Sequence, residues 1–214
     1  MAFLGYIAAM RHRLPGLQGS RCGGLRILGS VLRLNPLVWL LLCGIALRGS
    51  LATGAETPVS KEYQIKAAFI YNFTKFVEWP ANSFGDAKTP IVIGVLGTNP
   101  FGDELRKAVE GRKVNGRELV IRLVSTPADL DLVHVLFISS SEIARFPEWC
   151  SSLRGRPVLT IAEKESFLKE GGMISFLFDG DKVRFSVNVD SAETAGLKIS
   201  AQLQKLAASV RKKS

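Results

Sequence analysis

Short apolar runs in the middle of the chain alternate with stretches of mixed polarity. The runs "IVIGVLG" (91–97), "DLVHVLFIS" (131–139) and "RPVLTIA" (156–162) are nearly continuous. Such runs are typical of strands that are buried on both faces of a sheet. The stretches of mixed polarity predict short helices at 101–110, 141–153 and 163–170.

Two other stretches predict antiparallel hairpins. Asn115–Gly116 is a tight-turn dipeptide and precedes a strand at 118–124. A turn through Asp179, Gly180 and Asp181 divides residues 173–190 into two strands. The second strand alternates, so that Val183, Phe185, Val187 and Val189 face one way and Arg184, Ser186 and Asn188 face the other.

A longer helix is predicted on each side of these elements. The first is capped by Ser60 and runs to Glu78, because a residue that precedes proline, here Trp79, avoids helical geometry. The second opens with Asp190 and Glu193 as a capping box and runs to about Arg211. Its apolar stripe consists of Ala195, Ile199, Leu203, Leu206 and Val210.

Strands that alternate with helices favour an α/β domain. We expect a three-layer, loosely Rossmann-like domain with a mixed, mostly parallel sheet and an antiparallel hairpin at one edge. Residues 56–214 contain all of these elements and are predicted to form a single domain.

The first 55 residues have a different character. They contain six Arg, no Lys and no acidic residue, and their apolar run, Pro36–Leu47, is followed by small residues. This order is typical of a secretory signal peptide. The run is about half of the roughly 20 residues that span a bilayer, which disfavours a permanent anchor. We expect cleavage near Ala55; Cys43 follows the large Leu42, which disfavours lipidation there.

Removal of residues 1–55 changes the charge of the chain. The whole sequence has a formal net charge of +9, but without the six N-terminal arginines 22 basic residues face 19 acidic ones, a net of +3. The basic balance is therefore largely a targeting signal, and we expect no nucleic acid among the partners.

Few residues are suited to catalysis or metal binding. After cleavage the chain keeps one cysteine, Cys150, and one histidine, His134, so no intrachain disulfide can form. "GTNPFGDE" (97–104) has P-loop glycine spacing but lacks the Lys and Ser or Thr of that motif, and we interpret Asn99 as a helix cap. We therefore expect that the protein is not an enzyme and that it binds no cofactor and no metal ion. A hydrolase assembled in space from Ser, Asp and His134 is the rival prediction.

The first helix has more aromatic residues than one buried face requires. On a wheel of about 100° per residue, packing explains an apolar arc formed by Tyr63, Ile65, Phe69, Ile70, Phe73, Phe76 and Val77. Tyr71 and Trp79 are left over, on or beside the polar arc that holds Asn72 and Lys75. Because Tyr and Trp are favoured at binding surfaces, these two rings are candidates for recognition.

Several stretches together resemble the YfiR family of exported bacterial proteins. They cover nearly all of residues 56–214 and are "IKAAFIYNFTKFVEWP", "IVIGVLGTNPFGDEL", "VNGRELVIRLV", "RGRPVLTIAE", "EGGMISFLFDGDKVRFSVN" and "AGLKISAQLQKLA". The resemblance implies a periplasmic regulator, often dimeric, that is not an enzyme. Better-understood members bind the periplasmic sensor region of an inner-membrane diguanylate cyclase and repress it, which controls cyclic di-GMP and biofilm formation. Other members accompany histidine kinases or outer-membrane receptors.

Some residues match this family and others depart from it. Arg184 and Asn188 match polar positions of the family's hairpin strand, whereas Ser186 stands where some relatives carry a bulkier polar residue. The well-studied branch uses disulfides as redox-sensitive elements, but only Cys150 remains here after cleavage.

The hypothesis from sequence is a homodimeric periplasmic repressor of an inner-membrane signalling enzyme, either a diguanylate cyclase or a histidine kinase. The alternative is a periplasmic small-molecule-binding protein that serves uptake or a sensor kinase. The expected ligand or partner surface consists of Tyr71, Asn72, Lys75 and Trp79 from the first helix and Arg184, Ser186 and Asn188 from the hairpin.

Overall fold

The computed structural model describes residues 58–180 and 182–212. The signal peptide predicted at residues 1–55, with its cleavage near Ala55, lies outside the described residues and stays a prediction. In the part of the chain that is described, no helix is long and apolar enough to cross a membrane.

The described residues form five α-helices, four 3-10 helices and ten strands. The α-helices are α1 (Pro58–Phe76), α2 (Glu104–Val109), α3 (Phe146–Leu153), α4 (Val189–Thr194) and α5 (Ala201–Leu206). The 3-10 helices are Ala81–Ser83, Pro127–Leu132, Ile143–Arg145 and Glu165–Leu168. The strands are β1 (Val77–Glu78), β2 (Ile91–Leu96), β3 (Lys113–Val114), β4 (Arg117–Val124), β5 (Val135–Ile138), β6 (Leu159–Ala162), β7 (Ile174–Asp179), β8 (Lys182–Asn188), β9 (Lys198–Ile199) and β10 (Ser209–Arg211).

Eight of the strands form one mixed sheet in the order β10-β8-β7-β6-β5-β2-β4-β3. Strands β4, β2, β5, β6 and β7 are parallel to one another, and β8 is antiparallel to β7. The five parallel strands follow the 2-1-3-4-5 order of one type of doubly wound sheet. The predicted fold class, mostly parallel with an antiparallel hairpin near one edge, is confirmed.

The two faces of the sheet carry separate cores, because successive side chains of a strand point to opposite sides. On one face Ile93 and Val95 of β2 pack with Phe73 of α1. On the other face Val92 and Leu96 pack in a cluster with side chains of α3. Helices therefore cover both faces, which gives the three layers that the sequence predicts.

The first helix differs from its prediction at both ends. It begins at Pro58, so Ser60 lies within its first turn, and it ends at Phe76 and not at Glu78. Val77 and Glu78 leave the helix because they pair antiparallel with Ile199 and Lys198. Ile65, expected in the buried arc, is 37% exposed.

The prediction of one long C-terminal helix is wrong. Gly196 has a φ of 78°, which ends α4 and turns the chain into β9 before α5 begins. The cap of α4 is Asn188, whose side chain accepts a hydrogen bond from the backbone N–H of Ser191. Two members of the predicted stripe are exposed, Leu206 and Val210.

Two smaller predictions concern the turns around α2. Asn115 and Gly116 both have positive φ, 51° and 80°, so the predicted tight turn between β3 and β4 is confirmed. Asn99 is not a helix cap: α2 begins only at Glu104, and the Asn99 side chain accepts a hydrogen bond from the N–H of Phe101 in the preceding turn.

Candidate functional site

Tyr71 lies half-buried near the C-terminal end of α1, with two cations over its ring. Lys75 Nζ is 5.5 Å from the ring centroid and Arg112 Cζ is 4.7 Å from it. Lys75 follows one helical turn later, whereas Arg112 comes from the segment that precedes β3. Both cations are exposed, and the half-buried Asn72 is next to Tyr71 in the helix. The sequence-predicted members Tyr71, Asn72 and Lys75 therefore occupy one end of α1.

The indole nitrogen of Trp79 forms a hydrogen bond within the protein. It follows β1, is half-buried, and packs against the core that contains Phe73. Its Nε1–H donates to the carbonyl oxygen of His134 at 3.3 Å. This contact ties the residue that follows β1 to the segment that leads into β5.

A cleft of about 250 Å³ lies beside the Trp79 ring. Its positive wall is Arg117, whose guanidinium carbon is 3.9 Å from the centroid of Phe84. Arg117 Nη1 donates to the carbonyl oxygens of Asp86 and Thr89 at 2.6 and 2.8 Å, which fixes the guanidinium in place. The lining residues are Thr74, Val77, Glu78, Trp79, Phe84, Ile91, Asn115 and Arg117.

The predicted polar stripe of the hairpin is largely occupied by internal partners. Arg184 is exposed and pairs with Asp179, with Nη1 3.2 Å from Oδ2. Ser186 is buried and accepts a hydrogen bond from the Ser209 hydroxyl at 2.8 Å. Asn188 is buried, caps α4, and donates from Nδ2 to the Leu168 carbonyl oxygen at 2.9 Å. Of the three, only Arg184 is exposed to solvent.

The structure does not bring the two groups of predicted site residues together. The Phe185 ring packs on Phe73 and Phe69 of α1, with centroids 4.9 and 5.5 Å apart. Its neighbours in β8, Arg184 and Ser186, consequently point to the opposite face of the sheet. The helix residues and the hairpin residues are two separate candidate surfaces.

A buried lysine network escaped the sequence analysis. Lys66 of α1 is only 2% exposed and forms ion pairs with Glu62 and Glu163. Its Nζ lies 2.6 Å from Glu163 Oε1 and 4.6 Å from the Tyr63 ring centroid. Burial, and next to it the charge of Glu163, raises the pKa of Tyr63 to about 12. The exposed ring of Phe178 covers the ammonium group at 4.9 Å.

The wheel of the first helix contained a signal for this network. At about 100° per residue, Lys66 falls between Phe73 and Val77, in the middle of the apolar arc. A lysine at such a position must either reach solvent or find a carboxylate. Glu62 lies one helical turn earlier, so the spacing alone predicts its ion pair with Lys66. Glu163 directly follows a distant strand, and nothing in the neighbouring sequence indicates its contact with Lys66.

A sequence model of the YfiR/HmsC-like family matches residues 63–208. The chain belongs to this family. At the level of the family, membership supports a periplasmic regulator of diguanylate cyclase, and not an enzyme. The matched stretch contains both candidate surfaces of this YfiR/HmsC-like chain and also Lys66 with Glu163.

The histidine in the described part of this YfiR/HmsC-like chain, His134, has a structural role. His134 is 5% exposed; its Nδ1 accepts from the N–H of Val92 at 3.1 Å, and its Nε2 lies 3.1 Å from the Ser83 carbonyl oxygen. The neutral ring with hydrogen on Nε2 satisfies both contacts, and burial lowers the pKa of His134. With both ring nitrogens held by backbone groups, neither is free to activate a nucleophile, which argues against the hydrolase rival. Among the described residues, no group of three or more His, Cys, Asp or Glu could hold a metal ion.

Proposed function

We propose that this chain is a periplasmic protein that binds and represses an inner-membrane diguanylate cyclase. Repression lowers cyclic di-GMP and so limits biofilm formation. The observation that carries the proposal is the family match over residues 63–208. The match supports a regulator of diguanylate cyclase at the level of the family, and the proposal assigns such a partner to this chain.

The C-terminal end of α1 supports binding to a protein partner. Tyr71 and Trp79 are both half-buried, and two exposed cations, Lys75 and Arg112, lie over the Tyr71 ring. Aromatic rings and arginine are the residue types most often found at the centre of protein interfaces. The proposed contact surface consists of Tyr71, Asn72, Lys75 and Trp79, with Arg184 as a separate contact on the other face.

Cyclic di-GMP in cells tests the regulatory part of the proposal. Deletion of the gene is expected to raise cyclic di-GMP and biofilm mass, and expression of the full chain is expected to restore both. Crosslinking of the exported protein in intact cells, followed by recovery from membranes, is expected to yield a diguanylate cyclase. Unchanged cyclic di-GMP after deletion, together with no recovered cyclase, would refute the proposal.

The surface role is tested by the double substitution Tyr71→Ala with Trp79→Ala. Partner recovery is expected to fall while the far-ultraviolet circular dichroism spectrum stays native. Trp79→Phe is the companion variant, because it keeps an aromatic ring but removes the N–H that binds the His134 carbonyl. Loss of binding in the double variant with retention in Trp79→Phe supports a role of the ring surface; unfolding of the double variant would instead assign both rings to stability.

A homodimer is part of the proposal, and sedimentation velocity of the purified protein checks it. A single species of twice the chain mass is expected over a range of concentrations. A monomer at all concentrations would remove the dimer from the proposal but would leave the repressor role standing.

One feature favours the alternative of a small-molecule-binding protein. A cleft of about 480 Å³ lies beside His134, and Arg156 on its wall forms an ion pair with Asp131. This volume falls in the usual range for ligand pockets, about 300–1,000 Å³. A rise in the unfolding temperature with periplasmic metabolites, without recovery of a membrane enzyme, would favour this alternative.

A further inference from the structure

Three cations converge on two aromatic rings at the C-terminal end of α1. Lys75 and Arg112 lie over Tyr71, and Arg117 lies over Phe84. We call these five residues the cationic patch. Arg112 and Arg117 flank the β3–β4 hairpin turn, so the patch combines one helix with one hairpin.

No carboxylate oxygen of the described residues lies within 4 Å of the charged nitrogens of the cationic patch. Hydrogen bonds lower the pKa of the Asp86 carboxyl group, and Arg117 is near enough to help lower it. Lys75, Arg112 and Arg117 form no ion pair within the part of the chain that the structure describes. Arg106 and Arg145, by contrast, each contact two carboxylates. Two like charges held over one ring also repel each other, and a carboxylate that approaches both would lower this repulsion.

The adjoining cleft indicates what kind of molecule supplies the carboxylate. At about 250 Å³ the cleft is smaller than the usual pocket for a free ligand, yet one side chain fits it. Its lining is mixed: Trp79 and Phe84 offer ring surface, and the polar lining residues are Thr74, Glu78, Asn115 and Arg117. Glu78 disfavours an anion inside the cleft and Arg117 disfavours a cation. An occupant that fits these features carries its carboxylate outside the cleft, next to Tyr71, and an uncharged side chain within it.

We infer that the cationic patch docks an acidic segment of the partner protein, in which Asp or Glu residues flank an uncharged side chain. This inference rests on the proposed function, since the segment belongs to the periplasmic region of the repressed membrane enzyme. The carboxylates contact Lys75 and Arg112, and the uncharged side chain enters the cleft between Trp79 and Phe84. Charge complementarity of this kind determines the choice of partner and the rate of association.

Charge reversal at two positions tests the inference. The test variant is Lys75→Glu with Arg112→Glu, and the matched control is Lys61→Glu with Arg122→Glu. The control pair is also exposed, has no ion pair among the described residues, and changes the net charge by the same amount. Each full chain is exported, crosslinked in intact cells and recovered from membranes, and the yield of diguanylate cyclase is measured by mass spectrometry.

The expected result is a loss of about tenfold in cyclase yield for the test variant, because two attractive contacts become repulsive, and no comparable loss for the control. The neutral variant Lys75→Gln with Arg112→Gln is expected to lie in between. Circular dichroism of each purified protein verifies that it is folded. Added salt should weaken capture by the wild type more than capture by the neutral variant.

Three results would overturn the inference, and they are distinguishable. If the wild type and all variants capture the cyclase equally, the patch is not the docking surface, although the proposed function stands. If the wild type captures no membrane signalling enzyme, the proposed function fails and the inference fails with it. If purified wild type binds phosphatidylglycerol-containing vesicles but not pure phosphatidylcholine vesicles, and the test variant binds neither, the occupant is a lipid phosphate and not an acidic segment.

Discussion

Lys66 shows how a charged side chain can be part of an α1 face that is otherwise apolar. Its side chain is 2% exposed, and two carboxylates and the rings of Tyr63 and Phe178 surround its ammonium group. The desolvation cost of such a group is large, and only partners with good geometry offset it. The network also joins α1 to the residue that follows β6, so it fixes the helix on the sheet.

Removal of this cation is expected to destabilise the fold strongly. Lys66→Met leaves the carboxylates of Glu62 and Glu163 close together without their shared partner, at an expected cost of about 3–5 kcal/mol in the free energy of unfolding. Urea unfolding followed by circular dichroism measures the change. Lys61→Met, on the exposed side of the same helix, should change stability by no more than about 0.5 kcal/mol.

A second variant separates charge from packing in this network. Adding Glu62→Gln and Glu163→Gln to Lys66→Met removes the uncompensated charges and should restore part of the lost stability. If Lys66→Met alone costs less than about 1 kcal/mol, the three side chains do not depend on one another and the network has no structural role.

His134 is expected to make stability depend on pH. Its pKa is lowered in the folded protein by burial, from an ordinary value of 6.5, so the unfolded chain binds the proton more readily. Stability is therefore fully present above pH 6.5 and falls as the pH decreases below it. Protonation of Nδ1 would also break its hydrogen bond with the Val92 N–H.

The free energy of unfolding measured between about pH 5.5 and 7.5 checks this prediction. Histidine is the side chain whose unperturbed pKa falls within that range. His134→Asn offers an amide oxygen near the position of Nδ1 but does not titrate. The wild type should lose stability toward acid, and the variant should show a flatter curve. Parallel curves would mean that His134 does not cause the acid sensitivity.

At the scale of elements, local sequence patterns predicted those structures that depend on local interactions. The strands at 91–97 and 156–162 contain β2 and β6, because an apolar run closed by glycine or polar residues has few other solutions. The Asn115–Gly116 dipeptide predicted a tight turn because both residue types tolerate positive φ, and both adopt it. Hydrophobic periodicity gave wrong helix ends where pairing between distant segments sets them. Val77 pairs with Ile199, 122 positions later. This pairing ends α1 and interrupts the single C-terminal helix that the sequence predicted.

A substitution at Gly196 tests whether the chain leaves the helix after α4, as observed, or continues as one helix, as the sequence predicted. Its φ of 78° suits glycine, and a Cβ there would be in ordinary contact with Pro80 at 3.8 Å, so space is not the obstacle. Gly196→Ala is expected to destabilise the protein by about 1–2 kcal/mol through backbone strain alone. In a continuous helix the same change would instead stabilise by about 1 kcal/mol, because alanine is the better helix former.

Thermal or urea unfolding of this variant gives the sign directly. Gly196→Asn is the matched control, because asparagine tolerates positive φ better than alanine does. We expect the order of stability to be wild type, then Gly196→Asn, then Gly196→Ala. A more stable Gly196→Ala would contradict the break between α4 and β9.

At the scale of the molecule, the candidate site was predicted only in part. Aromatic residues in excess of one helix face pointed to Tyr71, which lies in the last turns of α1, and to Trp79, which follows β1. The sequence could not predict that Arg112 and Arg117 belong to the candidate site, because it does not show that the β3–β4 hairpin meets that end of the helix. Arg184 was grouped with α1 although Phe185 places it on the opposite face. Family membership covers both surfaces and does not choose between them.

The whole molecule is also expected to be insensitive to reducing agents, unlike family members that rely on disulfides. Residues 58–180 and 182–212 contain one cysteine, Cys150, which is half-buried in α3. Burial, assisted by the charge of Glu170, raises the pKa of its thiol, so less of the reactive thiolate is present at neutral pH. The unfolding temperature of the processed protein should be the same with and without dithiothreitol.

Reaction of native Cys150 with iodoacetamide should accordingly be slower than reaction of the same thiol in urea, and it should accelerate as the pH rises. Cys150→Ser provides the unreactive control and should leave partner capture unchanged. Native and unfolded protein reacting at equal rates, or an unfolding temperature that falls with dithiothreitol, would contradict this prediction. Among the described residues Cys150 has no second thiol with which to pair, so a disulfide within that part of the chain cannot act as a redox switch.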